Sequence, residues 1–417
     1  MTDNYLPRIA DASLTRLLRS SGAVLIEGPK WCGKTTTAMR LSKSFILMAD
    51  PDQHLNYQKI ISAKPSLLLE GETPRLIDEW QLAPILWDAV RFIVDKRSAF
   101  AQFILTGSSV PLNNATLHTG TGRISRYKMR TMSLYESRES NGQVSLGELF
   151  NGVDEIKGFS NLTIERLSYA LARGGWPQSL NLDGETSLDI VSNYVEAIVN
   201  KDVNEIDGIE KNPTIFRKLM RSIARCSASM ANNETIRRDI LGEDSTISAP
   251  TVSSYINILK RIHVIEDLIA WNPVVRSKTA IRTTDTRHYV DPSLAAAILR
   301  INHEGLLKDF NTFGLLFESL CVRDLRIYVE SIDGEVFHYR DSNGLECDAI
   351  VQLKDGRWCA IEIKLGSGEI DYGAKNLLKL ASLVNKKPEF LMILTGTNIA
   401  YRRDDGVFVV PIGCLKN

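Results

Sequence analysis

Cysteine is scarce in this 417-residue chain: there are six, none in a C-x-x-C pair. With only six histidines beside them, a zinc site or a disulfide framework is not expected, and a reducing cytoplasm fits best. A net charge of either sign is also missing, with 50 Lys/Arg against 50 Asp/Glu, so any nucleic-acid surface would have to be local. No apolar run reaches the roughly 18 residues that span a bilayer, so no membrane partner is expected. The opening MTDNYLPRIADASL is polar with an early acid, unlike a secretory signal. The length exceeds one ordinary core and predicts two or three domains.

What is present begins with Ala23-Val-Leu-Ile-Glu-Gly28, an apolar run that predicts a buried strand. It leads into Gly28, Pro29, Lys30, Trp31, Cys32, Gly33, Lys34 and Thr35, the pattern G-x-x-x-x-G-K-[ST], and then into a helical stretch from Thr36. Small residues let backbone N–H groups wrap phosphates, and the helix N-terminus adds positive potential. Lys34 would reach the β- and γ-phosphates, and the Thr35 hydroxyl would hold Mg²⁺. A further apolar strand, Arg75-Leu-Ile-Asp78-Glu79, ends in two acids: Asp78 to hold magnesium, Glu79 to orient the attacking water. The strand Phe103-Ile-Leu-Thr106-Gly-Ser108-Ser ends in hydroxyls, and Thr106 and Ser108 are candidates for sensing the γ-phosphate. In Gly120-Thr-Gly-Arg123-Ile-Ser-Arg126, Arg123 or Arg126 is a candidate arginine finger, in cis or from a neighbouring subunit; a solvated or salt-bridged arginine is the alternative.

These segments (GPKWCGKT, RLIDEWQ, FILTGSS, GRISR) and a later RGGWP at 173–177 resemble AAA-type P-loop ATPases fused to an uncharacterised C-terminal domain. The resemblance implies a parallel sheet with a small helical lid in residues 150–205, and it implies adenine as the base. RGGWP belongs to the resemblance without a mechanism that its residues supply.

From residue 214 to 261 helical patterns continue, with Ser248 a plausible N-cap and Pro250 at a helix start. Val264–Ile269 would add a wing strand, making a winged helix. Thr251, Ser253 and Ser254 would face DNA, and Arg237, Arg238, Lys260 and Arg261 could neutralise phosphates. Eight Lys/Arg against six Asp/Glu between 213 and 271 is a weak excess for a DNA reader, and a protein–protein module remains open.

Farther on come a helix over Phe313–Val329 carrying Glu318, a strand with Asp348, and Trp358-Cys-Ala-Ile-Glu362-Ile-Lys364. This resembles the core of PD-(D/E)xK nucleases. A two-residue turn would put Asp348 on the wrong face; a three-residue Lys354-Asp355-Gly356 loop with Gly356 left-handed puts it opposite Glu362. Glu362 and Lys364 share a face because the strand period is two. Asp348 and Glu362 could then hold Mg²⁺, with Lys364 activating water. The same tripeptide at Glu155-Ile-Lys157 has no partner strand and serves as a control. A fold kept for binding without cleavage remains open.

The expected organisation is an α/β chain: an AAA-type P-loop ATPase parallel sheet with helical lid (1–205), a winged helix (206–275) and a restriction-endonuclease-like α/β domain (276–417). Expected partners are ATP with Mg²⁺, double-stranded DNA, and a second copy or another protein.

Overall fold

The computed structural model describes residues 5–109, 120–182, 184–205, 211–241, 247–273 and 284–417. The turn expected around Gly242 lies outside them, as do residue 206 and residues 275–276 at the expected domain boundaries.

The first layer contains α1 (Ile9–Ser20), β1 (Ala23–Glu27), α2 (Lys34–Leu41), β2 (Ser44–Leu47), α3 (His54–Ala63), β3 (Arg75–Asp78), α4 (Ile85–Arg97), β4 (Phe103–Gly107) and β5 (Ile124–Lys128). Its five strands are all parallel, in the order β2-β3-β4-β1-β5. Alternate residues of β1 explain why helices cover both faces. Ala23 and Leu25 pack toward Leu86, Trp87 and Val90 of α4, while Val24 and Ile26 pack toward Ala10, Leu14 and Leu18 of α1. All C-terminal strand ends then gather on one edge, where the P-loop lies.

Next come β6 (Val144–Ser145), α5 (Leu146–Phe150), β7 (Gly158–Phe159), α6 (Ile164–Arg173), α7 (Gly184–Ala197), a π-helical turn (Ile198–Asp202) and α8 (Val203–Glu205). The middle holds α9 (Pro213–Arg225), α10 (Asn233–Ile240) and α11 (Ala249–Arg261), followed by the antiparallel pair β8 (Ile265–Leu268) and β9 (Thr286–Tyr289). Ser248 caps α11 by accepting from Thr251 N.

The last part holds α12 (Pro292–Leu299), α13 (His303–Lys308), α14 (Phe310–Tyr328), β10 (Gly334–Arg340), β11 (Glu346–Leu353), β12 (Trp358–Lys364), α15 (Ile370–Leu383), β13 (Leu391–Thr395), β14 (Ile399–Arg402), β15 (Phe408–Pro411) and β16 (Leu415–Lys416). A mixed seven-stranded sheet runs β10-β11-β12-β13-β15-β14-β7. Helix α14 packs on one face through Phe313, Phe317 and Leu320, and α15 on the other through Ala374, Leu377 and Leu380.

The cores do not follow the expected boundaries at 205 and 275. One core runs from Leu134 to Leu415 and includes Leu167 and Leu171 of α6, Tyr194 of α7, and residues of α9, α11, α12 and α14. The helices expected as a lid on the ATPase sheet instead share their apolar face with the C-terminal half. Strand β7 joins the C-terminal sheet beside β14, and β6 pairs with β16 in a separate two-stranded sheet, which ties residues 144–159 to the C-terminal half. Strand β9, expected in the third domain, pairs with β8 of the middle.

The polar centre of this core is Asp291, which is fully buried. Its carboxylate accepts from Thr131 Oγ (2.7 Å), Gly175 N (2.9 Å), Ser293 N (3.0 Å) and Arg323 (2.9 Å). Arg323 also bonds Asp324, which accepts from Leu134 N at 2.9 Å. Burial would raise the Asp291 pKa, but Arg323 and these donors hold it below its usual range. The backbone there is as close as glycine allows: a Cβ on Gly175 would stand 2.0 Å from the Met132 carbonyl oxygen. Arg323→Ala should cost about 3–5 kcal/mol in denaturant unfolding, because two buried carboxylates lose their counter-charge. A cost below about 1 kcal/mol would show that the cluster does not carry the core.

Candidate functional site

Gly33 is left-handed (φ 100°) and caps α2 without a side chain, so the first N–H groups of the helix point into the loop. Beside it lies a cavity of about 1220 Å³ lined by Lys30, Trp31, Gly33, Lys34, Thr35, Thr36, Glu79, Gln81, Ser108 and Ser109, among others. Lys34 is folded back on the loop and donates to the carbonyls of Gly28 (3.0 Å) and Pro29 (2.8 Å). Thr35 Oγ1 donates to Asp78 at 2.6 Å, which brings two hard oxygen donors together at the base of α2. That donor set fits magnesium.

Thr106 differs from the expectation. It is fully buried and donates to Asp78 at 2.6 Å, while its oxygen accepts from Glu79 N at 3.1 Å. It therefore fixes the two acids and does not line the cavity. Ser108 lines the cavity instead and donates to Glu79 at 3.2 Å. Glu79 also accepts from Gln81 and is held at φ 53°, a left-handed conformation that bulky residues adopt at a cost. Cys32 is likewise fully buried, facing the Met129 carbonyl away from the cavity.

Arg123 is also corrected for its own chain. It sits where β5 starts, its carbonyl accepting from Ala23 N, whereas the P-loop begins at the other end of β1. Roughly 15 Å of strand separates them. Its guanidinium pairs with Asp95 at 2.8 Å. Arg126 pairs with Glu27 at 3.1 Å.

Several cavity features had no sequence signal. Lys30 bonds Asp202 at 2.7 Å, and Trp31 (φ 66°) lies against Tyr194, with ring centroids 5.3 Å apart. Tyr194 in turn meets Trp176 at 5.0 Å, so the RGGWP segment abuts the nucleotide loop, and Pro177 lines the cavity. From the middle, Ile262 reaches the same cavity. Next to it, His263 is buried, and among the described residues neither ring nitrogen has a hydrogen-bond partner.

On the C-terminal sheet, Ala349 pairs with Ile361 and Gln352 with Trp358, a register that places Asp348 across from Glu362. The intervening loop is Lys354–Gly356, with Gly356 at φ 80°. The Lys364 ammonium lies 2.7 Å from Glu362 and 3.2 Å from Asp348. Asp348 also accepts from Ile363 N at 2.7 Å. Burial and the neighbouring Asp348 push the Glu362 carboxyl up to about 8, with Lys364 offsetting part of the rise. Burial raises Glu318 of α14 well above its usual range, with Asp348 adding to it. The three acids thus share one electrostatic site. Among the described residues, no three His, Cys, Asp or Glu converge closely enough to hold a metal ion. Asp348 and Glu362 are a two-carboxylate pair with Lys364 between them, and a divalent cation fits that donor set if the ammonium gives up one partner.

Three of the four cations expected to meet DNA are tied to acids. Arg237 and Arg238 pair with Glu234, and Lys260 pairs with Asp267. Ser253 accepts from Asn233, and Thr251 is engaged with Ser248.

The parallel sheet and the loop geometry are those of a P-loop nucleotide-binding domain. Residues 20–137 match a family model described as an AAA domain. Residues 164–305 and 313–415 match two models described as domains of unknown function, DUF8612 and DUF4143. The uncharacterized proteins Mb2031c of Mycobacterium bovis and Rv2008c of Mycobacterium tuberculosis are each 23% identical over 365 residues, covering 86% of this chain and 73% of theirs. A Walker-type ATPase of Pyrococcus abyssi aligns at TM-score 0.43 and 17% identity, covering 72% of this chain and 97% of that one. A signal-transduction ATPase with numerous domains from Pyrococcus horikoshii, bearing a tetratricopeptide-repeat sensor, aligns at TM-score 0.26 and 12% identity over 78% and 48%. Among the described residues, no helix is long and apolar enough to cross a membrane.

His263 gives the site an acid limit. Burial, reinforced by Lys128 and Lys34, pushes its pKa from 6.5 down to about 3. The unfolded chain then binds a proton that the folded chain refuses, so stability falls as pH drops from 6.5 toward about 3, by up to about 1.4 kcal/mol per unit. His263→Leu should flatten that limb in unfolding measured between those two limits; an unchanged limb would remove His263 as its source.

Proposed function

We propose that this protein binds and hydrolyses ATP with Mg²⁺, and that its nucleotide state controls a C-terminal PD-(D/E)xK nuclease-like domain acting on double-stranded DNA. The observation that carries the first part is the closed set of bonds among Thr35, Asp78, Thr106 and Glu79 at the foot of the P-loop. Magnesium, when bound, would offset charge on the phosphate oxygens. Lys34 exchanges the Gly28 and Pro29 carbonyls for the phosphates. Glu79, held by Ser108 and Gln81, orients the attacking water, and Ser108 reads the γ-phosphate from the cavity wall.

The second part rests on the shared site of Glu318, Asp348, Glu362 and Lys364. Two carboxylates suit a divalent cation, and Lys364 can position a water against a phosphodiester. Helix α14 links the two: Glu318 lies in the C-terminal site, and little more than a turn later Asp324 accepts from Leu134 N and Arg323 reaches Thr131 through Asp291.

A second reading has its own support. The middle helices run in the three-helix and two-strand order that a winged helix would need, yet Arg237, Arg238 and Lys260 are paired to acids. That favours a nucleotide-dependent switch whose output is contact with another protein or a second copy, the C-terminal domain serving as a binding platform.

One paired experiment tests both parts. Lys34→Ala should lower Mg²⁺-dependent ATP turnover by about 100-fold or more; unchanged turnover would end the ATPase assignment. Supercoiled and linear DNA incubated with Mg²⁺ or Mn²⁺, with and without ATP, should be cut by the wild type and spared by Lys364→Ala. No cutting under any condition would leave the switch reading.

A further inference from the structure

Arg8 lies just ahead of α1, outside the stretch that matches the AAA domain, and its side chain is buried. Each nitrogen of its guanidinium donates. Nε donates to Glu136 at 3.1 Å, Nη1 to the Cys32 carbonyl at 2.9 Å, and Nη2 to the carbonyls of Arg130 (2.9 Å) and Thr131 (3.2 Å). Glu136 is saturated as well, accepting from Ile9 N and from Ser133 N, both at 2.8 Å, and from the Ser133 hydroxyl.

The Cys32 contact matters most for nucleotide binding. A phosphate cradle requires successive N–H groups to face inward, so a carbonyl between them must face out and find a donor. Cys32 stands between Trp31 and Gly33, both left-handed, and the carbonyl they turn outward meets Arg8. Arg8 also binds the arm at 130–131, next to Thr131, which donates to Asp291. One buried side chain, which also lines the cavity, therefore ties the cradle to the arm that leads to the core.

We infer that Arg8 is a positioning residue of the nucleotide site, holding the P-loop in its phosphate-binding shape from outside the motif. This rests on the ATP reading above. Because the cradle serves ground and transition states alike, losing it raises KM more than it lowers kcat.

The test is Arg8→Lys, which keeps the charge beside Glu136 but not the fork, assayed for Mg²⁺-ATP binding by calorimetry, for steady-state kinetics and for thermal unfolding. The expected result is a Kd and KM for ATP at least tenfold higher, kcat within about threefold, and a folded protein at assay temperature. If Arg8→Lys does not fold, the double variant Arg8→Met with Glu136→Gln, in which no charge is left unpaired, takes its place with the same expected loss of affinity. A folded variant with wild-type affinity, whatever its melting temperature, would overturn the inference. Wild type that binds no ATP would overturn the nucleotide reading itself, and this inference with it.

Discussion

The Asp291 carboxylate is the constraint on which the arrangement of this protein depends. It sits fully buried where four segments meet, and each provides a donor: Thr131 from the arm after the ATPase sheet, Gly175 from RGGWP, Ser293 from α12 and Arg323 from α14. A buried carboxylate with fewer partners would be costly, and one with four fixes the relative placement of everything that supplies them. The unbroken apolar core from residue 134 to 415 follows from that placement.

Two sites connect to this carboxylate. The P-loop reaches Asp291 along two routes. One passes from Trp31 through Tyr194 to Trp176, whose indole N–H donates to Ser293 at 3.0 Å. The other passes through the arm that bonds Asp291 at Thr131 and Asp324 at Leu134 N. Helix α14 carries the connection on to Glu318. The chain reads most naturally as a nucleotide site and a carboxylate–lysine site joined by one helix, with the middle helices packed beside both.

Much of this was legible locally. The strand Ala23–Glu27 announces itself by apolar residues in a row, and the motif after it dictates the loop. The three-residue loop ending in left-handed Gly356 gave the register of β11 on β12, because one residue of slip would reverse every side chain. What stayed hidden depends on partners far away in the chain. Arg8 looks like an ordinary surface arginine until Glu136, 128 residues on, is placed beside it. Thr106 reads as a sensor by position, and only its burial shows that it serves Asp78 and Glu79. The helices of 164–197 have apolar faces, but nothing in those faces says which core they join. Arg123 fails as a finger in its own chain because strand direction, which spacing does not reveal, puts it at the far edge.

The most direct test of the link is amide hydrogen exchange with and without Mg²⁺-ATP, in wild type and in Lys34→Ala. Exchange in residues 129–136 and in α14 should slow when ATP binds the wild type and stay unchanged in the variant. If ATP binds and protection changes only within the P-loop and its neighbouring strands, the nucleotide site and the C-terminal site are not joined through Asp291, and the account is wrong.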